Sequence, residues 1–221
     1  MSSGTNTRLD HLVVAAHTLE QGLSYVKKQL GVTLPYGGEH PKMGTHNHLA
    51  RIGNDIFLEI IAINPAVGHL ERPRWFNLDD RRMQQSLKEC PRLISWVVNT
   101  GDLGSLLEGA HCSFGTPEPI SRGELSWHFA LPADGRILGG GFLPYLIQWH
   151  VDSHPAGRMA EVGLRLKSLT LYHNNPMWLL GMLTSIGADR LVEVKGASGA
   201  EPQSIRAVFD TPLGEVELSS L

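Results

Sequence analysis

The chain has 221 residues with a formal net charge of -3 at pH 7, 42% hydrophobic and 19% charged residues. That balance builds a folded core and argues against disorder, and without a Lys/Arg stripe it gives nucleic acid no footprint. No apolar run reaches the length of a membrane span, and Cys90 and Cys112 form neither a Cys-x-x-Cys motif nor a disulfide framework, so a cytoplasmic location is expected.

The start, Met1 to Thr7, is small and polar and reads as a frayed tail rather than a signal peptide. The segment Leu9-Asp-His-Leu-Val-Val-Ala-Ala16 then reads as a strand, and Thr18 opens a helix whose Leu19, Leu23, Val26 and Leu30 share one face and which Gly31 ends. Strands are predicted over Val32–Tyr36, His46–Gly53 and Asp55–Ile63. The stretch 64–91, with Pro65, Gly68, Pro73 and a short helix from Asp79 to Lys88, reads as a connector. Its Arg72, Arg74, Arg81 and Arg82 read as a solvated face.

The pattern then recurs. Leu93 to Thr100 is a second strand, followed by a short helix from Asp102 to Gly109 and by strands over Ser113–Thr116, Glu124–Leu131 and Pro144–His150. Gly139-Gly140-Gly141 lacks the Lys-Ser/Thr of a phosphate loop and reads as a hairpin connection. A third strand, Leu166 to His173, leads into a helix with Pro176 in its first turn, and strands over Leu191–Val194, Ile205–Asp210 and Glu215–Leu218 follow. The spacing supports a repeat: His11 to Glu59 is 48 residues, Ser95 to Gln148 is 53, and Ser168 to Glu217 is 49. The expected fold class is therefore α+β. Repeated βαβββ units at about 8–63, 92–151 and 164–221 form curled mixed sheets around a cup-shaped pocket in one single protein spanning 1–221.

The chemistry-bearing residues gather in the first unit. Glu59 sits among Phe57, Leu58, Ile60 and Ile61, and a carboxylate there needs a cation, a donor or a pocket. Alternation places His11 with Val13 and Ala15 on one strand face. If the hairpin after Ile52 turns on Gly53-Asn54, His48 faces Glu59; if on Asn54-Asp55, Ala50 does, with His48 diagonal; a three-residue loop would separate His48 from Glu59. His11, His48 and Glu59 then form an open two-imidazole, one-carboxylate site for Fe, Ni, Zn or Mn. Trp127 and Trp149 are candidates for an apolar pocket wall.

The Leu-Asp-His-Leu-Val-Val opening, the helix ending in Leu30-Gly31, Gly44-Thr45-His46-Asn47 before the hairpin, and Phe57-Leu-Glu-Ile-Ile61 resemble a glyoxalase-like domain of the vicinal-oxygen-chelate (glyoxalase/bleomycin-resistance/dioxygenase) superfamily. The likeness is good over Leu9 to Ile63, looser over the second unit, where Leu143-Pro-Tyr-Leu-Ile-Gln-Trp149 carries it, and loosest over the third.

The resemblance implies that paired units form a cup and that a first-strand histidine and a last-strand glutamate, here His11 and Glu59, hold a metal and act on substrate. Ser95, Ser168 and Gln148 break that pattern at the equivalent positions, and Glu217 keeps a carboxylate. Either His48 or Glu217 completes a ligand set with one divalent metal, or the site is metal-free. The implied function is an enzyme acting on a small oxygen-rich metabolite by metal-assisted isomerisation, lyase or dioxygenase chemistry. The alternative is a metal-free protein that sequesters a small molecule in the same cup. His48, Phe57, Trp127, Gln148 and Trp149 are the expected substrate-pocket residues, a small molecule is the expected ligand, and a homodimer is compatible with the reading. Fold membership alone does not choose the reaction.

Overall fold

The computed structural model describes residues 6–221. Met1 to Thr5 of the predicted tail lie outside the described residues, and Thr7 is anchored, its hydroxyl donating to the Gly187 carbonyl at 2.6 Å. The first unit comprises β1 (Arg8–Ala15), α1 (Leu19–Leu30), β2 (Tyr36–His40), β3 (Thr45–Arg51) and β4 (Phe57–Ile63). The Thr18 side chain accepts the Gln21 amide at the start of α1, Lys27 and Lys28 complement the carbonyl end, and Gly31 closes it in the left-handed region. Gly22 lets α1 lie close on β4: a Cβ there would come within 2.5 Å of Ile60 Cγ2. Ile60 thus faces α1, and its neighbour Glu59 faces the other side of the sheet.

A connector containing α2 (Arg81–Glu89), capped by Asp80, leads to the second unit: β5 (Arg92–Asn99), α3 (Leu103–Gly109), β6 (Thr116–Arg122), β7 (Leu125–Leu131) and β8 (Tyr145–Trp149). The third follows as β9 (Arg165–His173), α4 (Pro176–Ser185), β10 (Glu193–Gly196), β11 (Ser204–Thr211) and β12 (Gly214–Ser219). The strand after the helix begins later than the sequence predicts in all three units, at Tyr36, Thr116 and Glu193. Val32 and Leu34 are buried in the core ahead of β2. Strand β6 carries Pro117 and Pro119, which an edge strand tolerates because it needs amide donors on one side only.

The first two units share an eight-stranded sheet of order β2-β3-β4-β1-β5-β8-β7-β6. β1 runs parallel to β4, β5 parallel to β8, and β1 antiparallel to β5, so the strand order of one unit is that of the other turned about an approximate twofold axis at the β1–β5 pair. The sheet curls until its two edge strands face each other. Lys42, just after β2, reaches Glu118 on β6 at 3.1 Å, and Arg122 on β6 reaches Asn47 on β3 at 3.4 Å. The result is a nearly closed cup.

The third unit repeats the element order but not the strand order. Its four-stranded sheet runs β10-β9-β11-β12, with its first strand between the second and third rather than beside the fourth. β11 and β12 pack on β5, and β12 touches α1. This sheet therefore covers the helix side of the large sheet and leaves the cup's interior to the first two units.

Candidate active site

The site begins with an irregularity in β1. Leu9 pairs with Val98 and His11 with Val97, leaving Asp10 as an extra residue on β1. Such a bulge re-aims side chains next to it. The fully buried Asp10 carboxylate turns to the ring of its own neighbour: Oδ1 accepts His11 Nδ1 at 2.5 Å. Its Oδ2 accepts Trp149 Nε1 and His154 Nε2, each at 2.8 Å. Burial alone would raise the Asp10 pKa; hydrogen bonds from His11 and His154 more than reverse that and hold it at about 2. An ionised carboxylate only accepts, so Nδ1 of His11 carries a proton. His154 also takes the Ala156 amide on Nδ1 at 3.2 Å, so it is the neutral tautomer protonated on Nε2.

Fixed in this way, His11 stacks on Phe57 with ring centroids 4.4 Å apart and presents Nε2 to Glu59 Oε2 at 3.6 Å. The other oxygen of Glu59 accepts Asn47 Nδ2 at 2.6 Å. Asn47 Oδ1 in turn accepts Arg122 Nη1, which also donates to His40 Nε2 at 3.3 Å. Burial, with Arg122 and His11 adding to it, pushes the His40 pKa down to about 3, so His40 is neutral and accepts from the guanidinium. Burial also lowers the pKa of Arg122, and Glu59 opposes that. One chain of polar contacts thus runs Asp10, His11, Glu59, Asn47, Arg122, His40.

This chain borders a narrow, partly open cavity of about 40 Å³ with aromatic walls that include Trp75, Trp127, Phe129 and Trp149. A wider outer cleft adjoins it. Leu49, Arg122, Pro155 and Met159 line both and mark the boundary.

Of the residues expected from sequence, the fold brings His11, Phe57, Glu59, Trp127 and Trp149 to this cavity. Three others lie elsewhere. His48 is on the opposite face of β3. Leu49 pairs with Glu59 and His48 with Ile60, because the hairpin turns through three residues, Gly53 to Asp55, between Ile52 and Ile56. His48 Nδ1 instead meets the Leu34 carbonyl at 2.7 Å. Gln148 alternates with Ile147 and Trp149, which face the cavity. Its own amide turns to α3, accepting the Leu103 amide and donating to the Gly101 carbonyl. Glu217 is in the separate four-stranded sheet, half-exposed, 3.8 Å from Arg206. The repeat spacing equates it with Glu59, but the altered strand order removes it from the cup.

Asp10, His40, Asn47, Arg122 and His154 are site residues that pattern reading passes over. Asn47 lay within the quoted Gly44-Thr45-His46-Asn47, and the Gly37-Gly38 pair opposite it was a signal of close packing.

The donor set does not fit a divalent metal. Among the described residues no three His, Cys, Asp or Glu side chains are placed to hold one. Glu59 Oε1 is taken by the Asn47 amide and His40 Nε2 by the Arg122 guanidinium, both of which present hydrogens, so only Glu59 Oε2 and His11 Nε2 remain as lone-pair donors. No helix among the described residues is long and apolar enough to cross a membrane.

A family model described as "Glyoxalase-like domain" matches residues 9–186. The chain belongs to the glyoxalase-like domain family. No curated protein matches it in sequence. Among solved structures, this glyoxalase-like chain is similar to a hypothetical protein from Staphylococcus aureus (13% identity, 96% of this chain and 84% of that one covered, TM-score 0.56). It is also similar, at a TM-score of 0.40, to methylmalonyl-CoA epimerase from Mycobacterium tuberculosis (17% identity, 67% and 90% covered). A Streptomyces coelicolor methylmalonyl-CoA epimerase in complex with 2-nitronate-propionyl-CoA gives the same score (14% identity, 66% and 98% covered). At these identities the first likeness is one of fold, and the epimerases lend no argument about chemistry. The glyoxalase-like family provides a small-molecule enzyme or binding fold, and residues 187–221, which hold β10, β11 and β12, lie beyond the match.

Proposed function

We propose that the protein is an enzyme that moves a proton at a carbon next to a carbonyl in a small oxygen-rich metabolite. The observation that supports this is the line Asp10–His11–Glu59, which begins at a buried charged carboxylate and ends in an aromatic-walled cavity. Glu59 is the proton acceptor: Asn47 holds Oε1, leaving Oε2 toward the cavity and His11. As Oε2 takes the proton, the electron pair of the broken C–H bond moves onto the carbonyl oxygen. The positive charge of Arg122 and the second amide hydrogen of Asn47, both at the cavity wall, favour negative charge of that kind. His11, oriented by Asp10, sets the charge beside Glu59 and exchanges the proton with it. Returning the proton to the same or a neighbouring carbon gives epimerisation or isomerisation. No step in this scheme requires a metal.

The test is solvent deuterium incorporation, followed by proton NMR, into a panel of small 2-oxo acids, 2-hydroxy ketones and neutral ketones. Wild type is expected to label at least one compound, and Glu59→Gln to slow labelling by on the order of a hundredfold or more. Saturable binding of panel members with no labelling of any would overturn the enzyme reading. It would favour the second one, a sequestering protein, which the predominance of apolar side chains in the cavity wall supports.

A further inference from the structure

Arg122 stands apart from the other arginines near the cup. Arg74 is paired with Asp79 and Arg72 with Glu118, whereas no carboxylate lies within 4.0 Å of the Arg122 guanidinium among the described residues. Its hydrogen bonds all leave from Nη1, to neutral acceptors on His40 and Asn47. Half-buried and at the boundary of the two cavities, it has Nε and Nη2 left without a hydrogen bond to the described residues. A partly desolvated guanidinium with no carboxylate in contact is a planar fork suited to a two-oxygen anion.

The surrounding backbone is shaped around it. Gly38 has φ +137°, and a Cβ there would come within 3.1 Å of Arg122 Cδ. A Cβ on Gly37 would strike Asn47 Oδ1 at 2.4 Å. Two successive glycines on β2 thus clear room for Asn47 and for the Arg122 side chain that it holds. The outer cleft is of mixed charge, with Arg158 beside Glu124 and Asp152, so the cleft as a whole does not select an anion. Arg122 does.

We propose that the ligand of this site is a small monocarboxylic acid, its carboxylate held by the Arg122 fork at the cavity mouth and its apolar body lying inward against Trp75, Trp127 and Phe129. This deepens the proton-transfer reading and rests on it only in assigning the same pocket.

Trp75, Trp127 and Trp149 line the cavity, so binding is read by quenching of tryptophan fluorescence in the full chain. The probes are phenylacetate with phenylacetamide, and hexanoate with hexanamide. The wild type should bind each acid about tenfold or more tightly than its amide, since a charge-assisted bidentate contact is lost in the amide. Arg122→Gln should abolish that preference by weakening acid binding far more than amide binding, and Arg122→Lys should retain part of it. Circular dichroism confirms that each variant is folded. Equal binding of acid and amide, no binding of any acid, or an equal loss for both probes in Arg122→Gln would each overturn the proposal. Glu59→Gln separates the two readings, because it should stop deuterium labelling and keep the acid preference. An acid preference in wild type without any labelling upholds the Arg122 assignment and sinks the enzyme reading alone.

Discussion

The side chains of His11 and Asp10, consecutive in the chain, meet at 2.5 Å although regular strand alternation would send them to opposite faces. The extra residue in β1 makes the meeting possible, and it joins the deepest charge in the cup to the ring that faces Glu59.

Asp10 is held ionised to about pH 2 against an ordinary value of 3.8. Its folded-state pKa is depressed, so its contribution is fully present above about pH 4 and is lost as the pH falls toward 2. The shift corresponds to roughly 2 kcal/mol. Asp10→Asn should lose about that much stability at neutral pH, and the gap between mutant and wild type should close between pH 4 and 2. Urea unfolding at several pH values measures it; a gap that stays constant over that range would refute the assignment.

Trp149 is both a cavity wall and a donor to Asp10. Trp149→Phe keeps an aromatic ring and removes the N–H. A hydrogen bond to a charged group is worth about 1.5–3 kcal/mol, and the mutant should be destabilised by that order. A hydrogen bond to the ionised form favours that form, so without the indole N–H the acid-induced loss of stability should begin at a higher pH than in wild type. Acid titration followed by circular dichroism compares the two onsets.

Neighbouring residues on β3 should behave in opposite ways. Asn47→Ala removes the donor to Glu59 and a contact of Arg122, and should abolish deuterium labelling and weaken acid binding. His48→Ala loses the bond to the Leu34 carbonyl and an edge contact with the Tyr36 ring, costing about 1 kcal/mol, and should leave labelling unchanged. A loss of labelling in His48→Ala would mean that the strand register is wrong.

With only Glu59 Oε2 and His11 Nε2 free to donate lone pairs, the site should not retain a divalent ion. Melting temperatures with Ni, Zn, Mn, Fe or chelator are expected to coincide, since a ligand bound only to the folded state would raise them. Elemental analysis of protein purified without chelator gives the independent measurement. A stoichiometric metal, or a chelator-sensitive melt, would return Glu59 to the role of metal ligand.

Asp10 of the first unit is satisfied by Trp149 of the second, and the third unit's sheet packs on β5. The three units should therefore unfold together, in a single transition. Limited proteolysis that released a stable folded fragment of 1–91 would contradict this.

The positions of His11 and Glu59 were legible because each rests on a short-range pattern: a β-branched strand opening for one, a charge inside an apolar run for the other. The spacing pointed to repeated βαβββ units, but which of the three pair was not legible from it. His48 was misplaced by one residue of loop length, since a strand's two faces exchange with every single-residue slip. Gln148 and Trp149 cannot both face the cavity on one strand, and alternation alone could have chosen between them. Glu217 was misassigned because spacing reports element order, whereas strand order is decided by which edges pair. The bulge at Asp10 had no sequence signal, and Arg122 comes from the far end of the sheet, a closure that only the curl of the whole strand set brings about.

That closure is made with side chains. Strands β2 and β6 end the sheet and share no backbone ladder; Lys42 with Glu118, and Arg122 with Asn47 and His40, span the gap. A ladder fixes the distance between two strands at one value, but long side chains have slack in several torsions. The rim can therefore widen by rotamer changes alone, with every strand pair intact. The width of the entrance is a property of five side chains rather than of the fold, so relatives of the same architecture can admit guests of different girth by changing a seam.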